Sequence, residues 1–595
     1  MTVQIINSEK LYAAFLAGAR EVIKQKNELN KINVFPVADG DTGTNLAFTM
    51  HAIIEEARLE DSAKKTMETI AEAALVGARG NSGIIFAQFI NGLYMGLDDK
   101  EDISVKGFSR SVTNAVTYAH KAISNPVEGT MITVMRDWAN SLDDLKDIAT
   151  DFIEVFSKSM IIAIQSLKDT PKKLKVLKDA SVVDSGAKGF VHFLEGFGSF
   201  IRTGKTSKSP VEVEKNIIEF TQIHTHDTHD LSHRYCTEAL VKGESLDLDR
   251  VRMTLNDLGD SLIVAGNENK MRIHIHTNTP ADLFRRLKYF GHIIQQKADD
   301  MQRQYEAGHA RKHKIALVTD SIADLPKDLM DKHQIHMIPL NLIVNESNYL
   351  DKLTITPSYL YELMDNADHY PTSSQPTREA AGDFLNFVST NYDSIIVVTV
   401  SKQMSGTFET ITKAAEKLQK AGKKIAIIDS KSNSAGQGLV VLKAAEFIEA
   451  GKSFEEVVNQ TEKVVRNTKI FVHVKTLKYM VRSGRISKIT GLVGKLMNLK
   501  PVVSIDEEGQ GIIIGKALSD SSSEKKMQAL VKEIAQTKNI TEYSIVHADA
   551  EEQASQYAKV FTSLIGREPT YITSISSIVA MNAGVGCVAI AVTTD

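Results

Sequence analysis

The sequence predicts a multidomain chain with an all-α N-terminal domain, a small α+β middle domain and an α/β C-terminal domain. Three observations predict this fold class. In residues 1–200, apolar residues recur at three-to-four spacing, as in amphipathic helices. Residues 231–306 combine short strands with helices. From residue 313 onward, β-rich runs alternate with helical stretches, which is typical of α/β units around a largely parallel sheet.

The first segment, residues 1–200, is predicted to be a helical bundle. EKLYAAFLAGAREVIKQ places Leu11, Phe15, Leu16 and Ala19 on one apolar stripe. TMETIAEAALVGA, GIIFAQFINGLYMGL and DFIEVFSKSMIIAIQSL show the same spacing. No clear strand is expected among them, and helices with single apolar stripes bury them by packing together.

The polar, histidine-rich residues 201–230 are predicted to be a linker, and no role is assigned to His224, His226 and His229. The middle domain is expected over residues 231–306. In KMRIHIHTN, apolar and polar residues alternate over Met271–Thr277, which predicts a strand.

The C-terminal domain, residues 313–595, contains four predicted strands: KIALVTDS, SIIVVTVS, KKIAIIDS and YSIVHAD. All four runs end in Asp or Ser. Because ligands of α/β folds bind at the carboxyl ends of the strands, these polar ends predict a binding site there.

The overall composition excludes several classes of protein. A net charge of −4 and a pI of about 6.5 give no global attraction to nucleic acid, which is therefore not expected as a partner. Two cysteines exclude a disulfide framework and fit a reducing compartment. The N-terminus lacks the layout of a signal peptide, and no apolar run reaches the ~20 residues of a transmembrane helix. We expect a cytoplasmic protein.

The stretch NVFPVADGDTGTN (Asn33–Asn45) is predicted to be a turn rich in oxygen ligands. Asp39 and Asp41 flank one glycine, and two carboxylates on one turn can share a hard cation such as Mg²⁺ together with phosphate oxygens. The same turn could instead cap the helix that begins near Asn45, and the spacing alone leaves both interpretations open.

A second stretch, GARGNSGIIFAQF (Gly77–Phe89), is a glycine-rich turn that opens an apolar helix. The amides of Gly80, Asn81, Ser82 and Gly83 would bind phosphate at the helix start. An ordinary turn between helices is the alternative. NPVEGTMITV (Asn125–Val134) and VVDSGAKGF (Val182–Phe190) are two further stretches, and the second again places polar residues and glycine before a helix.

These four stretches, in this order and spacing, resemble the nucleotide-binding domain of the dihydroxyacetone-kinase superfamily, above all its fatty acid kinase branch. The resemblance covers residues 1 to about 200 and implies a helical barrel that binds ATP and Mg²⁺. It implies that Asp39 and Asp41 ligate the metal, with Asn33 nearby. The implied nucleotide contacts are Thr44, Asn45, Asn81, Ser82, Gly83, Thr130 and Asp184. The classical kinase has a third Asp upstream, where this chain reads NVFPVA.

In the middle domain, His274 and His276 are two apart in the predicted strand and so face one side of it. With Cys236 they could hold Zn²⁺, or the three side chains could pack separately. YCTEALVKG and GDSLIVAGNENKMRIHIHTNTP resemble the middle domain of fatty acid kinases, and that resemblance implies zinc.

Residues 313–595 resemble the DegV-like fatty-acid-binding proteins through ALVTDSIADLP, YPTSSQPTRE, SKQMSGTFET, IIDSKSNSAGQG, MVRSGRIS and MNLKPVVSID. The family implies a two-lobed α/β domain that buries the lipid tail and holds its carboxylate at a polar mouth. The implied lipid contacts are Ser373, Ser405 and Arg485. Asn582, in NAGVG, takes the place of a family histidine, and Ser373 takes the place of a usual threonine.

Together the resemblances imply a fatty acid kinase fused to a lipid carrier, which phosphorylates a fatty acid carboxylate to an acyl phosphate, a phospholipid precursor. The implied partners are a fatty acid, acyltransferases of phospholipid synthesis and a second copy of the chain in a homodimer. Two alternatives stay open: a kinase for another small molecule with a lipid-sensing domain, and a non-catalytic lipid carrier.

Overall fold

The computed structural model describes residues 2–35, 40–99, 102–205, 232–365, 369–483 and 500–595. The chain divides into two compact units. The first comprises Met1–Thr279 and Arg286–Asp299, and the second comprises Pro280–Arg285 and Asp300–Asp595. The predicted linker lies largely outside the described residues.

The N-terminal part of the first unit is helical, as predicted. Asn7 caps the first helix, whose buried face includes Leu11, Phe15 and Val22. Trp138 lies in the core, with its ring centroid 5.7 Å from that of Phe190. The helices are α1 (Ser8–Lys24), α2 (Lys26–Lys31), α3 (Thr42–Glu56), α4 (Ala63–Gly77), α5 (Gly80–Gly96), α6 (Val105–Ala122), α7 (Met131–Leu145), α8 (Phe152–Lys173), α9 (Lys175–Asp179) and α10 (Ser185–Thr203).

Two very short strands interrupt this helical part, although none was expected there. β1 (Ile5–Ile6) pairs antiparallel with β2 (Ile103–Ser104). A two-residue pairing is too short to produce the alternating pattern by which a strand is recognised in a sequence.

The middle part of the first unit contains the predicted strand, β5, in a four-stranded sheet where β3 and β4 pair antiparallel with it. The order in the sheet is β4-β5-β3-β6. Within this sheet, every second residue of Lys270–Thr277 points to the same face. The elements are β3 (Tyr235–Lys242), α11 (Leu248–Leu255), β4 (Gly259–Gly266), β5 (Lys270–Thr277) and β6 (His292–Asp300), and α12 (Pro280–Leu287), most of which belongs to the second unit, lies between β5 and β6 in sequence.

The second unit has two lobes, as the resemblance implied. Its first lobe holds a parallel sheet of order β13-β12-β7-β8 and an antiparallel sheet of order β10-β9-β11. The elements are α13 (Met301–His309), β7 (Ile315–Asp320), α14 (Lys327–Lys332), β8 (His336–Ile338), β9 (Asn341–Val344), β10 (Ser347–Leu350), α15 (Pro357–Asp365), β11 (Thr372–Ser374), α16 (Arg378–Asn391), β12 (Ser394–Thr399), α17 (Thr407–Lys420) and β13 (Lys424–Asp429).

The second lobe is built on a mixed sheet of order β16-β15-β14-β19-β17-β18. Among neighbouring strands of the described part of this sheet, β17 and β18 are the only pair that runs parallel. The elements are α18 (Ser434–Glu449), α19 (Phe454–Asn467), β14 (Thr468–His473), α20 (Lys478–Ser483), β15 (Val502–Ile505), β16 (Gly511–Gly515), α21 (Asp520–Thr537), β17 (Ile540–His547), α22 (Glu551–Ile565), β18 (Tyr571–Ser574), α23 (Ser577–Ala583) and β19 (Val588–Thr594).

One expectation about these sheets was wrong. Three of the four predicted strands, β7, β12 and β13, lie in the parallel sheet, but β17 lies in the mixed sheet, beside the antiparallel β19. An apolar run does not encode which sheet it joins. Within the described residues, no helix has both the length and the apolar character needed to cross a bilayer.

Candidate functional site

The Asp-Gly-Asp turn leads directly into α3. Gly40 has a φ of +65°, a left-handed conformation that glycine adopts without strain. Asp41 is the N-cap of α3, and its carbonyl accepts the Asn45 amide at 2.8 Å, but its carboxylate makes no capping hydrogen bond. Helix capping therefore does not explain this acidic side chain. Asp39 lies outside the described residues, so its pairing with Asp41 stays a prediction.

Thr44 is held by Asn30, a residue that sequence analysis missed. Asn30 Nδ2 donates to Thr44 Oγ1 at 2.9 Å, and the Thr44 amide donates to Asn30 Oδ1 at 3.0 Å. Thr42 Oγ1 likewise donates to Oδ1 of the buried Asn33. These bonds fix the first turn of α3. Because Thr44 Oγ1 accepts here, its hydroxyl hydrogen can be donated to a ligand oxygen.

The glycine-rich turn begins α5 at Gly80, which has a φ of +59°. A Cβ on Gly80 would lie 2.3 Å from Asn45 Nδ2, so this turn packs directly against α3. The Gly80 amide donates to Glu238 Oε1 at 2.7 Å. This amide was expected to bind phosphate, but a carboxylate of the middle sheet already occupies it.

The amides of Asn81, Ser82 and Gly83 in this turn differ in whether they have a hydrogen-bond partner within the helix. The Gly83 amide donates to the Arg79 carbonyl at 3.2 Å, within the helical pattern. Gly83 has a steric role, because a Cβ there would lie 2.7 Å from Thr49 Oγ1. First-turn amides have no carbonyl partner inside the helix. Those of Asn81 and Ser82 are therefore the better phosphate donors. Asn81 Oδ1 is also buried without a hydrogen-bond partner among the described residues.

The starts of α7 and α10 lie next to the start of α5. A Cβ on Gly186 would lie 2.9 Å from both Ser82 Oγ and Met131 Cε. Asp184, the N-cap of α10, accepts the Ala187 amide at 2.7 Å. The first turns of α3, α5, α7 and α10 are thus contiguous. The positive ends of four helix dipoles meet there, which favours an anionic ligand.

Thr130 is the half-buried N-cap of α7 and donates to the Val127 carbonyl at 2.7 Å. The loop before it is held by Arg136, which donates to both oxygens of Glu128 at 2.6 and 2.7 Å. This bidentate pair fixes the loop and leaves Thr130 at the positive end of α7.

The burial of Asp184 gives a testable dependence on pH. Burial raises its pKa to about 6 from 3.8, against the opposing hydrogen bonds of the Ala187 and Met131 amides. Ionisation therefore costs folding free energy from about pH 4 upward, and the cost is complete above about pH 6. We expect Asp184→Asn, which retains a capping side chain, to raise the unfolding temperature of the first unit at neutral pH.

This gain should shrink as the pH falls toward about 4. Trp138 is the only tryptophan of the chain, so its fluorescence reports unfolding of the first unit. Asp179→Asn, at an exposed position of α9, is the control. A gain that is the same at every pH would contradict a buried, ionised Asp184.

The three residues of the predicted metal group lie together on β3 and β5. Cys236 is directly opposite His276 in the register, and the potential ligand atoms of Cys236, His274 and His276 lie within 4.8 Å of one another. His274 and His276 are 2% and 8% exposed. His274 Nε2 is buried without a hydrogen-bond partner among the described residues. One sulfur and two imidazole donors at this separation fit Zn²⁺ and leave a fourth position open.

Two carboxylates that sequence analysis missed support these histidines. Glu238 Oε1 lies 3.6 Å from His274 Nδ1, and Asp260 Oδ1 lies 3.4 Å from His276 Nδ1. Burial, with the charge of His274, lowers the pKa of His276 to about 3, so its ring is neutral, as a metal ligand must be. Carboxylates commonly orient histidine ligands in this way. The sequence does not give the registers of β3 and β4 against β5, and these registers place Glu238 opposite His274 and Asp260 opposite His276.

The charge of Asp41 acts on the thiol of the metal group. Burial raises the pKa of Cys236, Lys297 lowers it, and the charges of Glu238 and Asp41, among others, raise it. The Asp41 carboxylate thus lies within electrostatic range of the thiol. A bound cation would reverse this effect, since a metal displaces the thiol proton.

The second unit contains a cavity of about 120 Å³ between its two lobes. Its walls are mostly apolar, and part of them comes from the mixed sheet. Examples are Ile470, Val472, Val503, Val546 and Ala589. Such a cavity suits an apolar ligand that carries few polar atoms.

Three of the four predicted lipid contacts line this cavity. Ser373 is on β11, Ser405 lies just before α17 and Asn582 is on α23. Ser405 Oγ is 2.8 Å from Thr407 Oγ1, and this contact orients the hydroxyl. Arg485 lies outside the described residues, so its role stays a prediction.

The orientation of Asn582 differs from what a carboxylate contact needs. Its Nδ2 donates to the Ile578 carbonyl at 2.7 Å, and its Oδ1 is buried without a hydrogen-bond partner among the described residues. Oδ1 is an acceptor, and an ionised carboxylate offers no hydrogen to it. In this orientation Asn582 does not replace the histidine of the family pattern.

Three family models match successive parts of the chain. The model of the DAK2 domain matches residues 36–199. That of the FakA-like middle domain of fatty acid kinases matches residues 232–308. That of the DegV family, described as uncharacterised, matches residues 314–595.

The chain is also similar to curated staphylococcal proteins described as uncharacterised. One from Staphylococcus epidermidis is 32% identical over 345 residues, covering 54% of this chain and 62% of that protein. One from Staphylococcus aureus strain USA300 is 31% identical over 333 residues, covering 53% of this chain and 60% of that protein. The chain therefore spans less than two thirds of the length of these relatives.

Two solved structures are similar to parts of the chain. A fatty-acid-binding DegV family protein from Thermus thermophilus is 26% identical, covers 47% of this chain and 100% of its own, and has a TM-score of 0.45. DegV from Bacillus subtilis, described as a fatty acid binding protein, is 26% identical, covers 48% of this chain and 100% of its own, and has a TM-score of 0.44.

Proposed function

Since this chain joins a DAK2 domain, a FakA-like middle domain and a DegV domain, we propose that it is an ATP-dependent fatty acid kinase with its own lipid-binding domain. A carboxylate oxygen of the fatty acid attacks the γ-phosphorus of ATP. The bond from that phosphorus to its bridging oxygen breaks, and ADP leaves. The product is an acyl phosphate. The observation that carries the proposal is the meeting of four helix starts beside Asp41.

The residues of the first unit suit this reaction. Asp41, with Asp39, would hold Mg²⁺, which neutralises charge on the transferred phosphoryl group. The Thr44 hydroxyl and the amides of Asn81 and Ser82 would hold phosphate oxygens. Thr130 and Asp184, at the neighbouring helix starts, would lie near the rest of the nucleotide.

No general base is required for this chemistry. A carboxylic acid with a pKa of about 4–5 is already ionised at neutral pH. Catalysis therefore rests on alignment of the carboxylate with the phosphorus and on neutralisation of phosphoryl charge. Joining the lipid-binding domain to the kinase raises the local concentration of bound fatty acid toward the millimolar range, provided that the linkers are long enough to bring the two sites together.

The product is a mixed anhydride, so its acyl group is activated for transfer. We propose acyltransferases of phospholipid synthesis as its consumers. We further propose that the chain acts as a homodimer, which sedimentation of the purified protein would test.

The proposal is tested by incubating the purified chain with ATP, Mg²⁺ and oleate and trapping the acyl phosphate as a hydroxamate with hydroxylamine. Hydroxamate that requires both ATP and oleate supports the proposal. ATP turnover that is indifferent to oleate would show a kinase for another small molecule with a lipid-sensing domain. Lipid binding without any ATP turnover would show a carrier.

One observation favours the lipid-sensing alternative. Asn582 lines the cavity, but its Nδ2 already donates to the Ile578 carbonyl, so only Ser373 and Ser405 among the described candidates are left to donate to a carboxylate there. A buried carboxylate with few donors is costly. A lipid whose head group carries a hydrogen-bond donor would satisfy Asn582 Oδ1. Mass spectrometry of lipid that copurifies with the chain distinguishes these head groups.

We also propose that Cys236, His274 and His276 hold Zn²⁺. We expect the purified chain to contain about one zinc per chain and Cys236→Ser to lose most of it, because the thiolate is the strongest of the three ligands. Elemental analysis by mass spectrometry measures this. Cys587→Ser removes the other cysteine of the chain and is the matched control. Equal zinc content in both variants would contradict the site.

A further inference from the structure

The first residue of α5 is fixed by a carboxylate from the middle sheet. Glu238, on β3, is 1% exposed, and its Oε1 accepts the Gly80 amide at 2.7 Å. Its Oε2 accepts Arg272 Nη2 at 2.9 Å. A buried carboxylate requires donors of this kind, and it binds them strongly. Glu238 therefore ties the sheet firmly to the turn.

The same oxygen of Glu238 faces the metal group. Oε1 lies 3.6 Å from His274 Nδ1, and that nitrogen lies 3.9 Å from Cys236 Sγ. A cation held by the group brings positive charge close to Oε1, whichever ring nitrogen binds it. The cation group then adds a second partner at Oε1, beside the Gly80 amide, while Arg272 holds Oε2. Its carboxylate loses freedom to rotate.

The turn has little freedom to adjust if this carboxylate moves. Gly80 is wedged between Glu238 and Asn45, because even a Cβ would lie 2.3 Å from Asn45 Nδ2. Rotation of the carboxylate would leave the Gly80 amide buried without an acceptor. The turn would have to shift to find another acceptor. Asn81 and Ser82 follow Gly80 directly, so their amides would shift with it.

We propose that Glu238 is a positioning residue that couples cation binding at Cys236, His274 and His276 to the geometry of the nucleotide-binding turn. Glu238 acts through Gly80 and touches neither nucleotide nor lipid in this scheme. The inference rests on the proposed function in two respects: that the start of α5 binds nucleotide, and that Cys236, His274 and His276 hold a cation. Since binding coupling is reciprocal, nucleotide also tightens cation binding by the same factor.

The test uses the full chain after treatment with a chelator, with Zn²⁺ as the cation and MgADP as the nucleotide. Calorimetry gives the ADP affinity with and without Zn²⁺, and amide hydrogen exchange follows the peptide that contains Gly80. We expect Zn²⁺ to tighten ADP binding by about fivefold or more and to slow exchange in this peptide.

Glu238→Gln is the diagnostic variant. A glutamine offers one acceptor and one donor, so it cannot accept on both sides as Glu238 does. We expect this variant to bind Zn²⁺ but to lose the effect of Zn²⁺ on ADP affinity and on exchange. Asn91→Ala is the matched control, because Asn91 Nδ2 donates to the Gly266 carbonyl at 3.0 Å and so joins the same helix to the same sheet without contacting His274. It should keep the effect of Zn²⁺.

Other results overturn the inference. The inference fails if Glu238→Gln keeps the effect of Zn²⁺ on ADP affinity and exchange. It also fails if the unchanged chain binds no Zn²⁺, or if it binds ADP equally well with and without Zn²⁺. In those cases, the proposed kinase function would still hold if the unchanged chain binds ADP. If the unchanged chain binds no ADP but Zn²⁺ slows exchange at Gly80, the coupling is supported and the proposed function fails. Trp138 fluorescence checks that Glu238→Gln folds, and if it does not, the comparison of the unchanged chain with and without Zn²⁺ decides.

Discussion

Asp41→Asn is expected to lower acyl phosphate formation by at least about a hundredfold. The amide keeps the shape of the side chain but removes one charge from the predicted metal site. Substitutions that only support metal ligands already cost about 10–100-fold, so loss of a ligand should cost at least as much. The measurement is hydroxamate formed from ATP, Mg²⁺ and oleate in the presence of hydroxylamine.

Asp61→Asn is the matched control for this prediction. Asp61 has a 73% exposed side chain and pairs with Lys65, four residues along the chain, so its loss should leave the rate unchanged. The amount of lipid bound by Asp41→Asn should also stay unchanged, because the cavity lies in the other unit. Full activity of Asp41→Asn would remove the basis of the proposed mechanism.

The double variant Ser373→Ala, Ser405→Ala is expected to weaken fatty acid binding by about 10²–10⁴-fold. This estimate takes about 1.5–3 kcal/mol for each hydrogen bond to a charged group. Both serines line the cavity, whose walls are mostly apolar. A carboxylate that enters such a cavity loses its hydration and needs these donors. Displacement of a fluorescent fatty acid measures the affinity.

Ser374→Ala is the control for the cavity. Ser374 follows Ser373 in the same strand, and successive side chains of a strand point to opposite faces. It is exposed and is not part of the cavity lining. The double variant and Ser374→Ala should both bind ADP with the same affinity as the unchanged chain. If the double variant binds fatty acid as well as Ser374→Ala does, the carboxylate lies elsewhere and the predicted mouth of the cavity is wrong.

Much of the candidate site was predictable because its signals are local. Asp41, Thr44, Asn81 and Ser82 lie at helix starts that the sequence marks with glycine and polar residues. Ser373 and Ser405 lie in short stretches that resemble a known family, and the structure brings both to one cavity with Asn582.

The residues that were missed have no local signal. Asn30 lies in an ordinary polar helix and is identified only by its two bonds to Thr44. The residues around Glu238 in its strand do not distinguish it from other glutamates. Its contact with Gly80 joins residues that are 158 positions apart in the chain. Asn582 was visible as a substitution in a motif, but the direction of its amide depends on the Ile578 carbonyl.

The amino-acid sequence alone predicts the three kinds of fold, the helix starts that carry polar residues and the strand that puts His274 and His276 on one face. These features follow from periodicity and turn chemistry, which act over a few residues. Only the tertiary structure decided that four helix starts meet, that Glu238 holds Gly80 and that β17 joins the mixed sheet. These depend on which distant surfaces pack together, and that choice is made by burial and hydrogen bonding across the whole unit rather than by any short stretch.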